Sequence, residues 1–347
     1  MKQILPVIGT LGLILIILEA SLDLKLERRK KGLIKKSISS ALILLVTFTA
    51  AFSYVLVQFY GISFRDSLLN GIPLGIISSL VAIPSALYLH PDEKEFIVYE
   101  SSFSDIFGII IFDFILLNTI SIGRGILNFA LNSILTIIIA LVTTSILAIL
   151  LHKIKYHINY VIIMTSVVMV YMLAKLSHLP ALLLVLVFGL VLSNNKFLEN
   201  TPIREFVDFA KFRTDLISFK KIVIEFTFIV RSFFFIMFGY LTQVEGLFNT
   251  KNVITALLIT IFIASTRLIF LKLILKIPIV PLFFFSPRGL ITILLFLSIP
   301  IASRIPLISE EVITLVILMT IFLLIIGNII HKREHIFDGG SGDFDED

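Results

Sequence analysis

Long apolar runs parted by short polar loops organise this chain from its first residues to about residue 331. Read at the roughly 20 residues a helix needs to cross a bilayer, they predict eleven spans. These are 4–24, 37–58, 67–89, 95–118, 127–151, 157–176, 179–194, 219–243, 252–275, 281–303 and 310–331. The seventh is short, and proline or glycine interrupts the third and the tenth. The fold class that follows is an all-α polytopic membrane protein of about eleven transmembrane helices. No cleavable leader is expected, because Pro6, Gly9 and Gly12 open the first run and Glu19 and Asp23 interrupt its end. Two segments break the pattern. Residues 195–218 are expected to form a polar, basic cytoplasmic linker carrying an interfacial helix, and residues 332–347 an acidic, Gly-rich cytoplasmic tail expected to be disordered. They leave a first membrane half at 1–194 and a second at 219–331.

Composition supports this class and narrows the chemistry. Hydrophobic residues make up 58% of the chain and charged residues 15%, with a mean hydropathy of +1.05; a soluble domain carries roughly 25% charge. With no cysteine there is neither a disulfide framework nor thiolate metal ligation. The sequence pI near 9.3 does not point to nucleic acid, because the basic residues sit in loops between apolar runs, where a lipid bilayer surface is the partner. Loop 25–36 alone holds Lys25, Arg28, Arg29, Lys30, Lys31, Lys35 and Lys36. Alternate loops with the carboxyl end carry about 20 Lys and Arg, against about 6 on the opposite side. The positive-inside rule therefore places the carboxyl terminus in the cytoplasm and the amino terminus outside, in a cell (inner) membrane. The six histidines fall at span ends or in loops without ligand spacing. No phosphate-binding glycine loop and no nucleophile–base set is visible, so the chain is not read as an enzyme and no cofactor is expected.

The charges left inside the spans carry the chemistry. Asp105 lies at the centre of the run 96–117, where an ionisable group costs at least ~2.5 kcal/mol and marks an ion or proton path. Ser101, Ser104, Asp105, Gly108 and Phe112 share one helical face. Asp113 is about 80° around and about 12 Å further along. Glu100 lies nearer the cytoplasmic mouth, to attract cations or stand in solvent. Arg231, Arg267 and Arg288 sit within later spans, and Asp105, Asp113, Glu19 and Glu225 are the carboxylates available to partner them. Pro84 lacks an amide proton and should kink or unwind span three, with Ser85 beside it. Ser286-Pro287-Arg288-Gly289 interrupts span ten. Irregular backbone at membrane depth is tolerated only where it is buried or lines a cavity. Two such interruptions in corresponding places of two halves point to an inverted-repeat transporter with its site near the midplane.

These residues resemble the cation/proton antiporter superfamily, the sodium/proton exchanger group. The resemblance runs through Gly12 to Glu19 with Leu22-Asp23-Leu24, the Pro84-Ser85 break, and Glu100-Ser101-Ser102-Phe103-Ser104-Asp105. It continues through Phe234-Phe235-Ile236-Met237-Phe238-Gly239, Arg267, and Ser286-Pro287-Arg288-Gly289 with Pro300. Ser104-Asp105 stands where the family carries Asn-Asp or Asp-Asp. Against the family's thirteen helices the chain starts at the equivalent of the third, so it lacks the first two, which belong to a dimerisation scaffold.

The resemblance implies an inverted-repeat antiporter fold with two crossing broken helices and ion-binding core helices at about 37–118. It implies exchange of a monovalent cation, Na+ first, for H+ by competition at Asp105, the carboxylate that would hold the transported Na+. Ser104 and Ser85 would add oxygens, and the broken helices backbone carbonyls. Arg267, Arg288, Arg231, Glu100, Pro84 and Gly289 would have structural or electrostatic roles, with Arg267 holding the electrostatics around Asp105. A homodimer is the implied assembly. The alternatives are a channel or solute carrier on the same fold, and a transport-inactive truncated remnant.

Overall fold

The computed structural model describes residues 4–23, 31–86, 89–117, 122–153, 159–177, 179–194, 209–275 and 280–339. All regular secondary structure among them is helical. The helices of seven residues or more are α1 Ile4–Asp23, α2 Lys31–Tyr60, α3 Phe64–Gly75, α4 Ser79–Ser85, α5 Pro91–Leu117 and α6 Ile122–Lys153. They continue with α7 Asn159–Leu176, α8 Ala181–Ser193, α9 Phe209–Leu241, α10 Thr250–Ile269, α11 Leu290–Ser298 and α12 Glu310–Gly339. A π-helical stretch, Phe270–Leu275, extends α10. Five stretches are long and apolar enough to cross a bilayer: Gly32–Tyr60, Phe64–Ser85, Phe212–Tyr240, Thr250–Leu275 and Glu310–Ile330. Four shorter apolar helices accompany them, Val7–Leu22, Leu131–Leu147, Tyr160–Leu176 and Ala181–Ser193. Large apolar side chains stand exposed along them, Leu131, Ile134, Ile138 and Val142 on α6 among them, as a helix facing lipid tails requires.

Two expected boundaries differ. Residues 209–218, the part of the linker where an interfacial helix is expected, are continuous with α9 as its opening turns, and residues 332–339, expected to be disordered, continue α12. Helix, once nucleated, propagates cheaply into polar sequence, and neither stretch holds a proline to stop it. The basic loop at 25–30, the linker at 195–208 and the tail at 340–347 lie outside the described residues.

The chain forms two compact units, each drawing on both membrane halves. The first comprises Met1–Lys30 and Ile109–Leu241, the second Lys31–Gly108 and Thr242–Asp347. In the first, α1 packs on α8 and α9, and α8 on α6 and α7. The seam is tied by Ser193 Oγ, which donates to the Leu22 carbonyl at 2.8 Å.

In the second unit α2 runs along α3, α10 packs on α12 and α2, and α11 packs on α3 and α12. Where α2 meets α10, Phe48 stacks on Phe52 and Phe262 meets Phe48 edge-on. A second apolar core gathers Ala82, Ala86, Phe96, Ile97, Leu271, Leu282, Phe285 and Leu324.

Both interrupted spans belong to this second unit, and their breaks cross. The first break is Ile76–Ser78, between α3 and α4, with Ile76 and Ser78 extended. It does not fall at Pro84, which lies inside α4. A proline disturbs its own helix back to the carbonyl four residues before it, here Leu80, so the break lies upstream of its reach. What opens the chain at 76–78 is a set of outside partners for the freed amides. Ile77 N donates to Ser104 Oγ at 2.9 Å, and Ser78 N donates to the Pro287 carbonyl at 2.9 Å. The second break, 285–289, precedes α11. A methyl on Gly289 would lie 2.4 Å from Ser78 Oγ and 2.8 Å from Ser78 Cβ, so the crossing requires glycine there.

Candidate functional site

The described part of the second unit buries four charged side chains: Glu100, Asp105, Arg267 and Arg288. The helical face foreseen on α5 is real, since Ser101, Ser104, Asp105, Gly108 and Phe112 are all buried. Gly108 is small because a methyl there would lie 2.2 Å from Ile76 Cδ1, and this close approach brings α5 against the first break.

Asp105 is 2% exposed. Its Oδ2 accepts from the Ser79 amide at 3.3 Å and from Ser79 Oγ. Ser79 is the first residue of α4, whose opening amides lack partners within the helix and carry its positive dipole end. The carboxylate thus sits where a helix favours negative charge. Its other oxygen, Oδ1, is buried and accepts no hydrogen bond from the described residues.

The remaining foreseen residues take varied places. Ser104 does not point its hydroxyl into open space; it accepts the Ile77 amide and thereby holds the break open. Ser85 donates to the Val81 carbonyl of its own helix at 2.8 Å, and Pro84 is exposed; neither is placed on Asp105. The serine on the carboxylate is Ser79, which sequence reading missed. Its signal was legible: Ser78-Ser79 is a polar pair between Ile76-Ile77 and Leu80-Val81.

Glu100 and Arg267 are partners, and the sequence suggested neither for the other. Arg267 Nη1 and Nη2 donate to Glu100 Oε1 and Oε2 at 2.6 and 2.7 Å, with both side chains 1% exposed. Nη2 also donates to the Leu282 carbonyl at 3.1 Å, and Ser40 Oγ donates to Glu100 Oε1. Glu100 therefore stands neither at a solvated mouth nor free to attract cations. The pair is bidentate, the geometry a guanidinium fork and a carboxylate share.

Arg288 binds backbone instead of a carboxylate. Its Nε donates to the Leu74 carbonyl, and its Nη1 to the Ser286 carbonyl at 2.8 Å. Its own amide donates to Thr320 Oγ1 at 3.0 Å. Leu74 lies in the last turn of α3, where carbonyls lack helical partners, so Arg288 caps the carbonyl end of the broken helix while Asp105 meets its amide end. Arg231 and Asp113 belong to the first unit. Arg231 is half-buried, its guanidinium 5.8 Å from the Phe228 ring. Asp113 is half-buried, with Lys175 within electrostatic reach. Among the described residues no group of three or more His, Cys, Asp or Glu is placed to hold a metal ion.

Apolar helices of bilayer length, with two chain breaks that cross beside a buried carboxylate, mark an integral membrane protein. Residues 2–332 match the family described as sodium/hydrogen exchanger, transmembrane, and the chain belongs to that family of cation/proton exchangers, transporters and not enzymes. The fold is that of the sodium proton antiporter MjNhaP1 from Methanocaldococcus jannaschii at pH 8. The TM-score is 0.68 and the identity 19%, over 96% of this chain and 86% of that one. A second structure of MjNhaP1, from electron microscopy, gives 0.63 and 20%, over 92% and 81%. No curated protein matches the chain.

Proposed function

We propose that this protein is a secondary antiporter exchanging a monovalent cation, Na+ first, for H+ at the single carboxylate of Asp105. One observation carries the reading. Of the two buried carboxylates described in the second unit, Glu100 is neutralised by Arg267, whereas Asp105 has no cationic partner among the described residues and one oxygen that accepts no hydrogen bond from them. A buried, unpaired carboxylate is costly, so Asp105 takes up either a proton or a cation, and the two compete for it. Exchange follows if the site changes sides only when Asp105 is neutralised.

Ser79 orients the carboxylate from the amide end of α4. Ser104 and Arg288 hold the break around it, Ser104 at the Ile77 amide and Arg288 at the Leu74 carbonyl. Carboxylate and hydroxyl oxygens are the cation's ligands on this reading. The carboxyl terminus is cytoplasmic, as the loop charges require.

The test is dye-monitored collapse of a pH gradient in proteoliposomes on adding Na+, Li+ or K+, with wild type and Asp105→Asn. Collapse by one cation in wild type alone is the expected result. A folded wild type that responds to none of them, or an Asp105→Asn variant that still exchanges, overturns the proposal.

A further inference from the structure

Two hydroxyls at the crossing of the breaks stay out of the bonds their positions offer. A Ser or Thr inside a helix can return its proton to the carbonyl four residues back. Ser101 does so to Ile97 at 2.7 Å and Thr260 to Ala256 at 2.8 Å. Thr292, in the first turn of α11, makes no such bond to Arg288. A serine at a helix N-cap usually accepts an amide of the first turn, as Ser63 does from Asp66 at 3.1 Å. Ser78 is the N-cap of α4, and its side chain makes no capping bond. Thr292 is 1% and Ser78 2% exposed, and neither hydroxyl bonds to a described residue.

Both hydroxyls belong to the mouth of α11. Gly289 is the N-cap of that helix, and a methyl on it would lie 2.4 Å from Ser78 Oγ. Ser78 thus sets its hydroxyl, from the other span, where the side chain of an N-cap residue would stand. A side chain in that place faces the third residue of the helix, whose own side chain leans back toward it. In α11 that residue is Thr292.

The same stretch of chain reaches the carboxylate. Ser79, directly after Ser78, holds Asp105 Oδ2 with its amide and its hydroxyl. Asp105 Oδ1 is a further buried oxygen that accepts no hydrogen bond from the described residues. Orphaned polar atoms in a folded interior call for a ligand. A carboxylate oxygen and two hydroxyl oxygens, none committed to a donor, are groups that can replace the hydration shell of a small cation. The amide end of α11 disfavours a cation by itself, so a cation is held there only while Asp105 is ionised. That is the condition under which cation and proton compete.

We propose that Ser78 Oγ and Thr292 Oγ1, one hydroxyl from each broken span, complete the oxygen shell of the transported cation beside Asp105 Oδ1. The assignment rests on the antiporter reading and adds to it the ligand that the second broken span supplies. Because the ion is shared between the spans, its binding depends on their close crossing, which Gly289 permits.

The test is the Na+-dependent rise in melting temperature of the full-length protein. It is followed by circular dichroism at constant pH, with Na+ about 100-fold above the wild-type Kd. Thr292→Val and Ser78→Ala each remove a hydroxyl that bonds to no described residue. Their melts without Na+ should therefore stay within about 2 °C of wild type. Loss of one ligand should weaken Na+ binding at least about tenfold, which cuts the Na+-dependent rise to about half or less. Thr292→Ser, which keeps the hydroxyl, should retain the rise, and so should Thr260→Val on α10. Asp105→Asn should abolish it. Unchanged rises in Thr292→Val and Ser78→Ala, with Asp105→Asn unresponsive, overturn the shell and leave the antiporter reading standing. An Asp105→Asn variant that still responds, or a folded wild type unmoved by Na+, Li+ and K+, refutes the antiporter reading and the shell with it.

Discussion

Replacing Ser79 with alanine removes the hydroxyl bound to Asp105 Oδ2 and leaves that oxygen only the Ser79 amide, at 3.3 Å. A hydrogen bond to a charged group contributes about 1.5–3 kcal/mol. The bond fixes Asp105 Oδ2 in the orientation that the proposed cation site uses, so its loss weakens cation binding by that amount. At about 1.4 kcal/mol per decade, the apparent KM for Na+ should rise about 10–150-fold, with less effect on the rate at saturating cation. Ser85→Ala is the matched control, because its hydroxyl donates to Val81 within α4; its KM should stay within about twofold of wild type. Both are read by the pH-gradient dye in proteoliposomes across a range of Na+ concentrations. A Ser79→Ala variant with wild-type KM, or a Ser85→Ala variant that shifts in its place, would refute the placement of Asp105 at the start of α4.

Removing one partner of the buried Glu100–Arg267 pair leaves the other charge uncompensated, at about 3–5 kcal/mol. Glu100→Gln and Arg267→Gln should each lower the melting temperature by at least about 6 °C, with the double variant falling short of the sum. The chain has neither Trp nor Cys, so the melt is followed by circular dichroism, and additive shifts below about 2 °C would dismiss the pair as a support. Gly289→Ala places a methyl 2.8 Å from Ser78 Cβ and should cost about 1–3 kcal/mol of overpacking; Ser78→Gly on the same chain should recover at least half of the lost melting temperature, and no recovery would mean the clash lies elsewhere. Asp113→Asn, in the other unit from Asp105, should keep exchange within about threefold of wild type, and its loss of exchange would call for a second carboxylate in the cycle.

Chain chemistry exposed some parts of this architecture and hid others for identifiable reasons. The membrane class, the presence of two interruptions and the oddity of a carboxylate at Asp105 were legible, because a charge or a lost amide in hydrocarbon stands out against its apolar neighbours; that Asp105 would have no arginine beside it was not. The site of the first break was not. Pro84 advertises a missing donor, but a helix ends where its freed amides find partners, and those of Ile77 and Ser78 lie on Ser104 and Pro287, 27 and 209 residues away along the chain. Glu100 and Arg267 were hidden likewise, 167 residues apart. Glu100 sits five residues before Asp105 and reads as a candidate of the same kind until its partner is seen. Arg288 invited the search for a carboxylate, when the group it satisfies is a helix carbonyl, which leaves no trace in side-chain identity.

The four charges buried in the second unit have a consequence for how the membrane potential acts on transport. With Asp105 ionised, Glu100 and Asp105 balance Arg267 and Arg288, and the site is neutral. On the antiporter reading, a bound proton and a bound Na+ each bring that sum to the same value, one positive charge. Each elementary charge moved through 100 mV is worth about 2.3 kcal/mol. The outward and inward passages therefore carry equal charge in opposite directions, and this term cancels over a complete cycle. Such an exchanger is driven by the two concentration gradients alone, and collapsing the voltage across a vesicle should leave its resting balance of Na+ and H+ where it was.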